Sequence, residues 1–296
     1  MQFVLVHGGR HGGWCWKRVV PLLRVAGHEV FTPTLTGLGD RSHLLHPGIG
    51  LGTHVADLVA LFEYEDISDA VLVAHSYGGI VANGAMEAIA DRVRYLVYVD
   101  AQLPRTGESM LDLVGPEGAE KMCAVVDEQG EGWYLPPTDA SYWGITDPVD
   151  RAWANRRVTA QPFKTYTDPV GPTDRAWAHP GLFIECAQPL QAFPIPLDRA
   201  RERSRADERF DYQVLNASHD AQVTAPGELA AVLLEAAGKA APRQAGRPSA
   251  GEPGRAVSDD IRVLRASQGR RPGQDRRRDL GQPADEPDHG ATARRA

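Results

Sequence analysis

Ala70-Val71-Leu72-Val73-Ala74-His75-Ser76-Tyr77-Gly78-Gly79 is the stretch that decides the fold. Its first five residues are all apolar, the composition of a strand covered on both faces in the middle of a parallel sheet. A helix is predicted from about Gly79 to Ile89. Ser76 therefore sits on a sharp strand-to-helix turn, which forces a strained backbone and brings the residues two before and two after it together. Both are small, Ala74 and Gly78. The turn exposes the hydroxyl beyond the sheet, at a helix N-terminus that favours developing negative charge.

The same rhythm extends in both directions. Upstream, Phe3 to Val6 reads as a strand ending at His7-Gly8-Gly9, and Trp14 to Ala26 as a helix stopped by Gly27. Val30-Phe31 opens a second strand, broken at Pro33, and Val55, Leu58, Val59, Leu61 and Phe62 mark a second helix. Downstream, Tyr95 to Val99 is another buried strand, ending at Asp100. The alternation then stops. Residues 101–178 are rich in Pro and Gly, read as irregular, and hold eight of the chain's 21 aromatic residues. It resumes with a strand at Leu182 to Cys186, a charged helix at Leu197 to Arg205 and a strand at Tyr212 to Leu215. A last helix is predicted from an N-cap at Thr224 with Pro226 in its first turn. Strands alternating with helices predict an α/β fold, a mostly parallel sheet flanked by helices. Residues 1–240 form its domain, with about 101–178 inserted as a cap.

Composition sets the outer limits. The chain has 296 residues, 42% of them hydrophobic and 24% charged, with a net charge of −7. From Ala241 to Ala296 there is no aromatic residue and no Lys, and 12 Arg face 8 Asp plus Glu. Five large aliphatics are too few to offset the entropy of ordering that segment, so a disordered, dispensable tail is expected. Setting aside its +4 leaves −11 on residues 1–240, a poor surface for nucleic acid. No apolar run approaches the roughly 18 residues of a membrane span. The first residues, Met1 to Val6, carry no basic leader. Three widely spaced cysteines (Cys15, Cys123, Cys186) form no metal or disulfide pattern. A cytoplasmic protein is the expectation.

A serine needs a base to become a nucleophile. His219, in Asn216-Ala217-Ser218-His219-Asp220 after the last strand, combines that position with a following helix. An ordinary turn and a solvated loop histidine would each look the same singly; their joint placement in one α/β order is what points to chemistry. Two backbone N–H groups must face the developing oxyanion. One is that of Tyr77, and the other is assigned to Gly9 in the glycine-rich loop after the first strand. His7 and His11 are four apart but lie on a loop, so helical metal-ligand spacing does not apply. His43 and His46 read as solvated, and Gly37-Leu38-Gly39-Asp40-Arg41-Ser42 lacks the third glycine of a dinucleotide loop.

His7-Gly8-Gly9, Gly12-Gly13-Trp14-Cys15-Trp16, Leu35-Thr36-Gly37-Leu38-Gly39-Asp40-Arg41, the Ser76 turn, Tyr98-Val99-Asp100-Ala101 and Ser218-His219-Asp220 together are similar to α/β-hydrolases. The group resembled contains hydroxynitrile lyases, plant methylesterases and bacterial carboxylesterases, pyrethroid-hydrolysing esterases among them. The resemblance spans about residues 2–238. It implies the α/β-hydrolase fold and a cofactor-free serine hydrolase with a Ser-His-acid triad, Ser76 and His219 falling on the matching positions. In the commoner arrangement of the family the acid follows the next-to-last strand, but Ala187 to Gln191 has no carboxylate. Asp198 is the nearest downstream, inside the predicted charged helix. Some family members place the acid at the end of the strand after the serine helix, which is Asp100 here. Asp100 is preferred over Asp198, to hold the His219 tautomer and stabilise the imidazolium.

The leading expectation is hydrolysis of carboxylic esters through an acyl-enzyme, on a small-molecule ester with an apolar or aromatic part. Cap aromatics such as Trp133 and Trp143 would wall the pocket. A hydroxynitrile lyase is one alternative. In the plant members that chemistry uses a threonine and a lysine where Gly8 and Asp220 stand, and an aspartate would repel cyanide. A receptor that keeps the pocket without turnover is the other. No metal, cofactor or nucleic-acid partner is expected.

Overall fold

The structure, a computed structural model, describes residues 1–188, 195 and 197–240. The Arg-rich segment 241–296, for which the sequence predicts disorder, lies outside the described residues.

Eight strands follow one another among the described residues: β1 (Gln2–Val6), β2 (Glu29–Phe31), β3 (Ala70–His75), β4 (Val93–Val99), β5 (Tyr134–Leu135), β6 (Gln161–Pro162), β7 (Gly181–Cys186) and β8 (Phe210–Leu215). Six of them form one sheet in the order β2-β1-β3-β4-β7-β8, every neighbouring pair parallel. β3 lies inside the sheet and all six of its residues are buried, as its unbroken apolar composition requires. β5 and β6 pair antiparallel with each other, apart from that sheet.

Side chains alternate across the pleat and so feed two cores. Val4, Val6, Leu72, Leu96, Tyr98 and Phe183 pack on one face, with Leu58, Phe62, Ile80 and Val81 from the helices Leu51–Tyr64 and Gly78–Ile89. Phe3, Leu5, Val71, Val73, Val97 and Ile184 pack on the other, with Leu23 and with Leu229 and Leu233 of the helix Pro226–Ala240. Each such side chain contributes about 2 kcal/mol through burial, so the sheet is a rigid platform. The chain leaves β1 towards β2 on one side and returns through β3 on the other. The loops at the carboxyl ends of β1 and β3 therefore flank the crevice where the strand order reverses, the usual place for a ligand in such sheets.

Three local readings change. The helix predicted over Trp14–Ala26 is split into a 3-10 turn, Gly13–Trp16, and a helix Val20–Val25. Pro21 explains the break, because proline is tolerated in the first turn of a helix and not in its interior. The stretch between β4 and β7, read as irregular, contains helices at Met110–Gln129, Pro148–Asn155, Lys164–Thr167 and Asp174–Trp177. Ser109 and Asp112 form a reciprocal capping box at the start of the first, a signal visible in the sequence. Gly115, at φ +76°, and Pro116 interrupt its helical periodicity. Thr224 does not cap the last helix; it ends a separate short turn, Ala221–Thr224, and its hydroxyl meets Ser218 Oγ at 2.9 Å. No helix among the described residues is long and apolar enough to cross a membrane.

Candidate active site

Ser76 follows β3 directly and has φ +54°, a backbone region unfavourable for residues with a Cβ. Backbone hydrogen bonds to β4, to the loop after it and to the helix that follows the serine hold it there. Its N–H donates to the Val99 carbonyl (3.2 Å), and its own carbonyl accepts from Gly79 (3.0 Å) and Gln102 (3.0 Å). Gly78 has no alternative: a Cβ there would lie 2.8 Å from the His7 carbonyl oxygen and 3.1 Å from that of Val6. Gly8 is equally confined, since its Cβ would be 2.9 Å from His75 Nδ1 and 3.0 Å from Ser76 Cβ. The loop after β1 thus runs directly over the serine.

His219 lies in the turn between β8 and the Ala221–Thr224 helix and is 1% exposed. Its Nδ1 is 2.6 Å from Asp100 Oδ2. A carboxylate only accepts, so the proton is on Nδ1 and the Nε2 lone pair is left as a base. Nε2 is buried with no hydrogen-bond partner among the described residues, and no hydrogen bond joins it to Ser76 Oγ. Asp100 directly follows β4 at φ +43°. Its N–H donates to the Ile184 carbonyl (2.8 Å), and its Oδ1 accepts from the Cys186 N–H (3.2 Å). Both carboxylate oxygens are thereby engaged. Asp198 is elsewhere, on the exposed face of the helix Leu197–Ala206, where its side chain is 94% accessible and 3.7 Å from Arg201.

The N–H groups of Gly9 and Tyr77 are used by no turn, loop or side-chain hydrogen bond among the described residues. The loop carrying Gly9 is held by two histidines. His7 donates from Nδ1 to the Gly8 carbonyl (2.7 Å) and accepts at Nε2 from Leu35 N–H (3.1 Å). Burial lowers its pKa to about 3, so it is neutral. His11 donates from Nδ1 to the Gly9 carbonyl (2.6 Å) and meets Asp220 Oδ2 through Nε2 at 3.0 Å. With acceptors at both nitrogens it is an imidazolium. Burial opposes that charge, yet Asp220 outweighs it and raises the pKa. Burial likewise opposes ionisation of Asp220, and His11 brings its pKa down to about 2.

This buried ion pair joins the two loops of the site, and it is absent from the sequence reading. The adjacency of Asp220 to His219 and the position of His11 two residues past Gly9 were the available signals. His75 completes the network. Its Nε2 donates to the His219 carbonyl (2.9 Å) and its Nδ1 accepts from Gln222 (3.4 Å), while burial holds it neutral.

The two pocket tryptophans fall in different places. Trp143 is 4% exposed and packs edge-on against His11 at 4.6 Å, so it backs the ion pair. Trp133 packs edge-on against Tyr134 at 4.9 Å. Tyr77, beyond its N–H, stacks on Tyr166 at 5.3 Å and donates its hydroxyl to His54 Nδ1 (2.8 Å). No group of three or more His, Cys, Asp and Glu is placed to hold a metal ion among the described residues.

Comparison with known proteins reaches the same architecture. The sequence pattern of the alpha/beta hydrolase family matches residues 3–232. A carbendazim hydrolyzing esterase from Nocardioides sp. (strain SG-4G) is 38% identical over 179 residues, which cover 57% of this chain and 72% of that one. Methylesterase 10 from Arabidopsis thaliana is 28% identical over 264 residues, 80% of this chain and 92% of that one. Among solved structures, an extracellular alpha/beta-hydrolase from a Paenibacillus species superposes with a TM-score of 0.70 at 20% identity, covering 80% of this chain and 98% of that chain.

Proposed function

The chain belongs to the alpha/beta hydrolase family, and from that premise we propose that it is a serine carboxylic ester hydrolase working through an acyl-enzyme. Ser76 Oγ attacks the ester carbonyl carbon while its proton passes to His219 Nε2. The carbonyl oxygen gains negative charge and is received by the N–H groups of Gly9 and Tyr77. The tetrahedral species collapses, the C–O bond to the alcohol breaks, and His219 returns the proton to the departing oxygen. Water repeats the sequence on the acyl-serine and releases the acid. Asp100 fixes the imidazole tautomer and stabilises the imidazolium without taking the proton.

The observation that carries this reading is the buried His219 ring, 2.6 Å from Asp100 at Nδ1 and unpartnered among the described residues at Nε2. It lies 4.7 Å from the ring of His75, the residue preceding a serine at φ +54°. The names of the esterase relatives support the ester as substrate class. The lyase alternative is not favoured. A threonine at position 8 would bring its Cβ within 3.0 Å of Ser76 Cβ, and Asp220 is a carboxylate committed to His11.

Treatment with a fluorophosphonate followed by peptide mass spectrometry tests the proposal. The label is expected on Ser76 and absent from Ser76→Ala. An unlabelled Ser76 in folded protein would overturn it.

A further inference from the structure

Arg10 stands out among the buried cations. It is 7% exposed, and its Nε has no hydrogen-bond partner among the described residues. No carboxylate pairs with its guanidinium there either. Arg203, equally buried, also leaves Nε and Nη1 unpartnered, but its Nη2 donates to the Ala176 and His179 carbonyls and its guanidinium lies over the Phe210 ring at 3.8 Å. The Arg10 guanidinium makes no hydrogen bond among the described residues. A buried charge without compensation is costly, so an unpaired one is retained where something else completes it.

The backbone of Arg10 is fixed in position. It adopts φ +62°, its N–H donates to Gln161 Oε1 (2.9 Å), and its carbonyl accepts from Thr159 N–H (3.0 Å). The side chain lines a cavity of about 400 Å³ whose other walls include Met122, Val125, Leu135, Pro137 and Tyr142. Among the described residues no acidic residue lines it. The second cation there, Lys121, is exposed and already neutralised by Glu117 at 2.7 Å. The cavity therefore combines an apolar wall with the polar groups of Gln129, Thr138 and Tyr142, and among the described residues no carboxylate faces the Arg10 charge, which is carried by the residue next to Gly9.

We propose that Arg10 is a specificity residue, and that the ester substrates carry a carboxylate which this guanidinium receives while the rest of the molecule lies against the apolar walls. Planar guanidinium binds carboxylate through paired N–H donors, and exclusion of water strengthens that contact. As a statement about substrate class the inference rests on the ester-hydrolase reading; as a statement about an anion site it does not.

The experiment has two arms. Mono-p-nitrophenyl glutarate and p-nitrophenyl pentanoate match in length and differ by one carboxylate. The wild-type ratio of their kcat/KM values should favour the glutarate, and Arg10→Met should reduce that ratio by roughly 10- to 100-fold. Arg10→Lys should restore part of it. In the second arm, calorimetry with hexanoate and hexanamide should detect hexanoate alone, and only in proteins retaining the charge. If Arg10→Met does not fold, competition on the wild type decides, with inhibition by hexanoate and not by hexanamide expected.

A ratio near one that Arg10→Met leaves unchanged, or equal binding of acid and amide, overturns the inference and leaves the esterase reading standing. Charge-dependent hexanoate binding without cleavage of either ester does the reverse.

Discussion

His219 Nδ1 and Asp100 Oδ2 are 2.6 Å apart, although 119 residues separate them in the chain. The contact exists because β4 and β8 flank β7, so that the loops beyond their carboxyl ends converge. The Cys186 N–H at the end of β7 then fixes the second oxygen of Asp100.

Asp100→Asn should therefore lower kcat by about 10²- to 10⁴-fold, because an amide in place of the carboxylate no longer enforces the Nδ1–H tautomer. Asp198→Asn, at a side chain 94% accessible, should leave kcat within about 2-fold. Steady-state kinetics on one activated ester compares the two. The reverse pattern would move the acid to Asp198.

Much of this was legible in the sequence, for a physical reason. The β3 stretch is apolar because both its faces are covered, and Gly78 is small because the His7 carbonyl leaves no room for a Cβ. Such demands are local and leave local traces. Asp100 was half legible: its place at a strand end is a sequence fact, while its partner is a property of strand order. The His11–Asp220 pair spans 209 residues and belongs to no periodic pattern, so only the fold reveals it. The same holds for Arg10: that its guanidinium meets no carboxylate among the described residues is a statement about three-dimensional surroundings.

Gly9 offers a test of the loop over the serine. A Cβ there would lie 2.2 Å from Tyr166 Oη and 3.3 Å from its Cζ, so the ring hydroxyl is the principal obstruction. Gly9→Ala should displace the loop and reduce kcat by about 10²- to 10³-fold, the usual cost of one oxyanion donor. Adding Tyr166→Phe removes the obstructing oxygen and should recover at least tenfold of that loss. No recovery in the double variant would show that the glycine is needed for another reason.

Asp220→Asn probes the buried ion pair. His11 has a raised pKa, so its share of the stability is complete below its unfolded value of 6.5 and is lost as pH rises through the folded one. Asp220 is held at about 2 against 3.8, so its share is complete above 3.8 and is lost as pH falls through the lower value. The difference between wild type and Asp220→Asn should therefore be largest between about pH 4 and 6.5. An Asn still hydrogen-bonds a neutral His11, which limits that difference to about 1–3 kcal/mol. Urea midpoints across pH measure it, and a difference that grows steadily above pH 7 would contradict the assignment of charge to His11.

Three other buried histidines act in the opposite sense. Burial lowers His7 to about 3 and His54 to about 4, and keeps His75 neutral as well. His54 is fixed by donating to the Thr36 carbonyl (2.9 Å) and accepting from the Tyr77 hydroxyl (2.8 Å), an arrangement that has no place for a second ring proton. Below pH 6.5 the unfolded chain gains protons that these folded rings refuse, so unfolding takes up protons and stability falls with pH. At pH 5 the loss is about 2 kcal/mol each for His7 and His54. His28 and His179, also lowered chiefly by burial, add in the same direction. His11, protonated in both states at that pH, does not. The wild type should thus lose urea resistance between pH 7 and pH 5 with little change in m-value. His54→Gln should be less stable at pH 7, where it gives up one of two hydrogen bonds, yet show a shallower slope by about one proton. A pH-independent midpoint over that range would mean that the folded protein admits those protons after all.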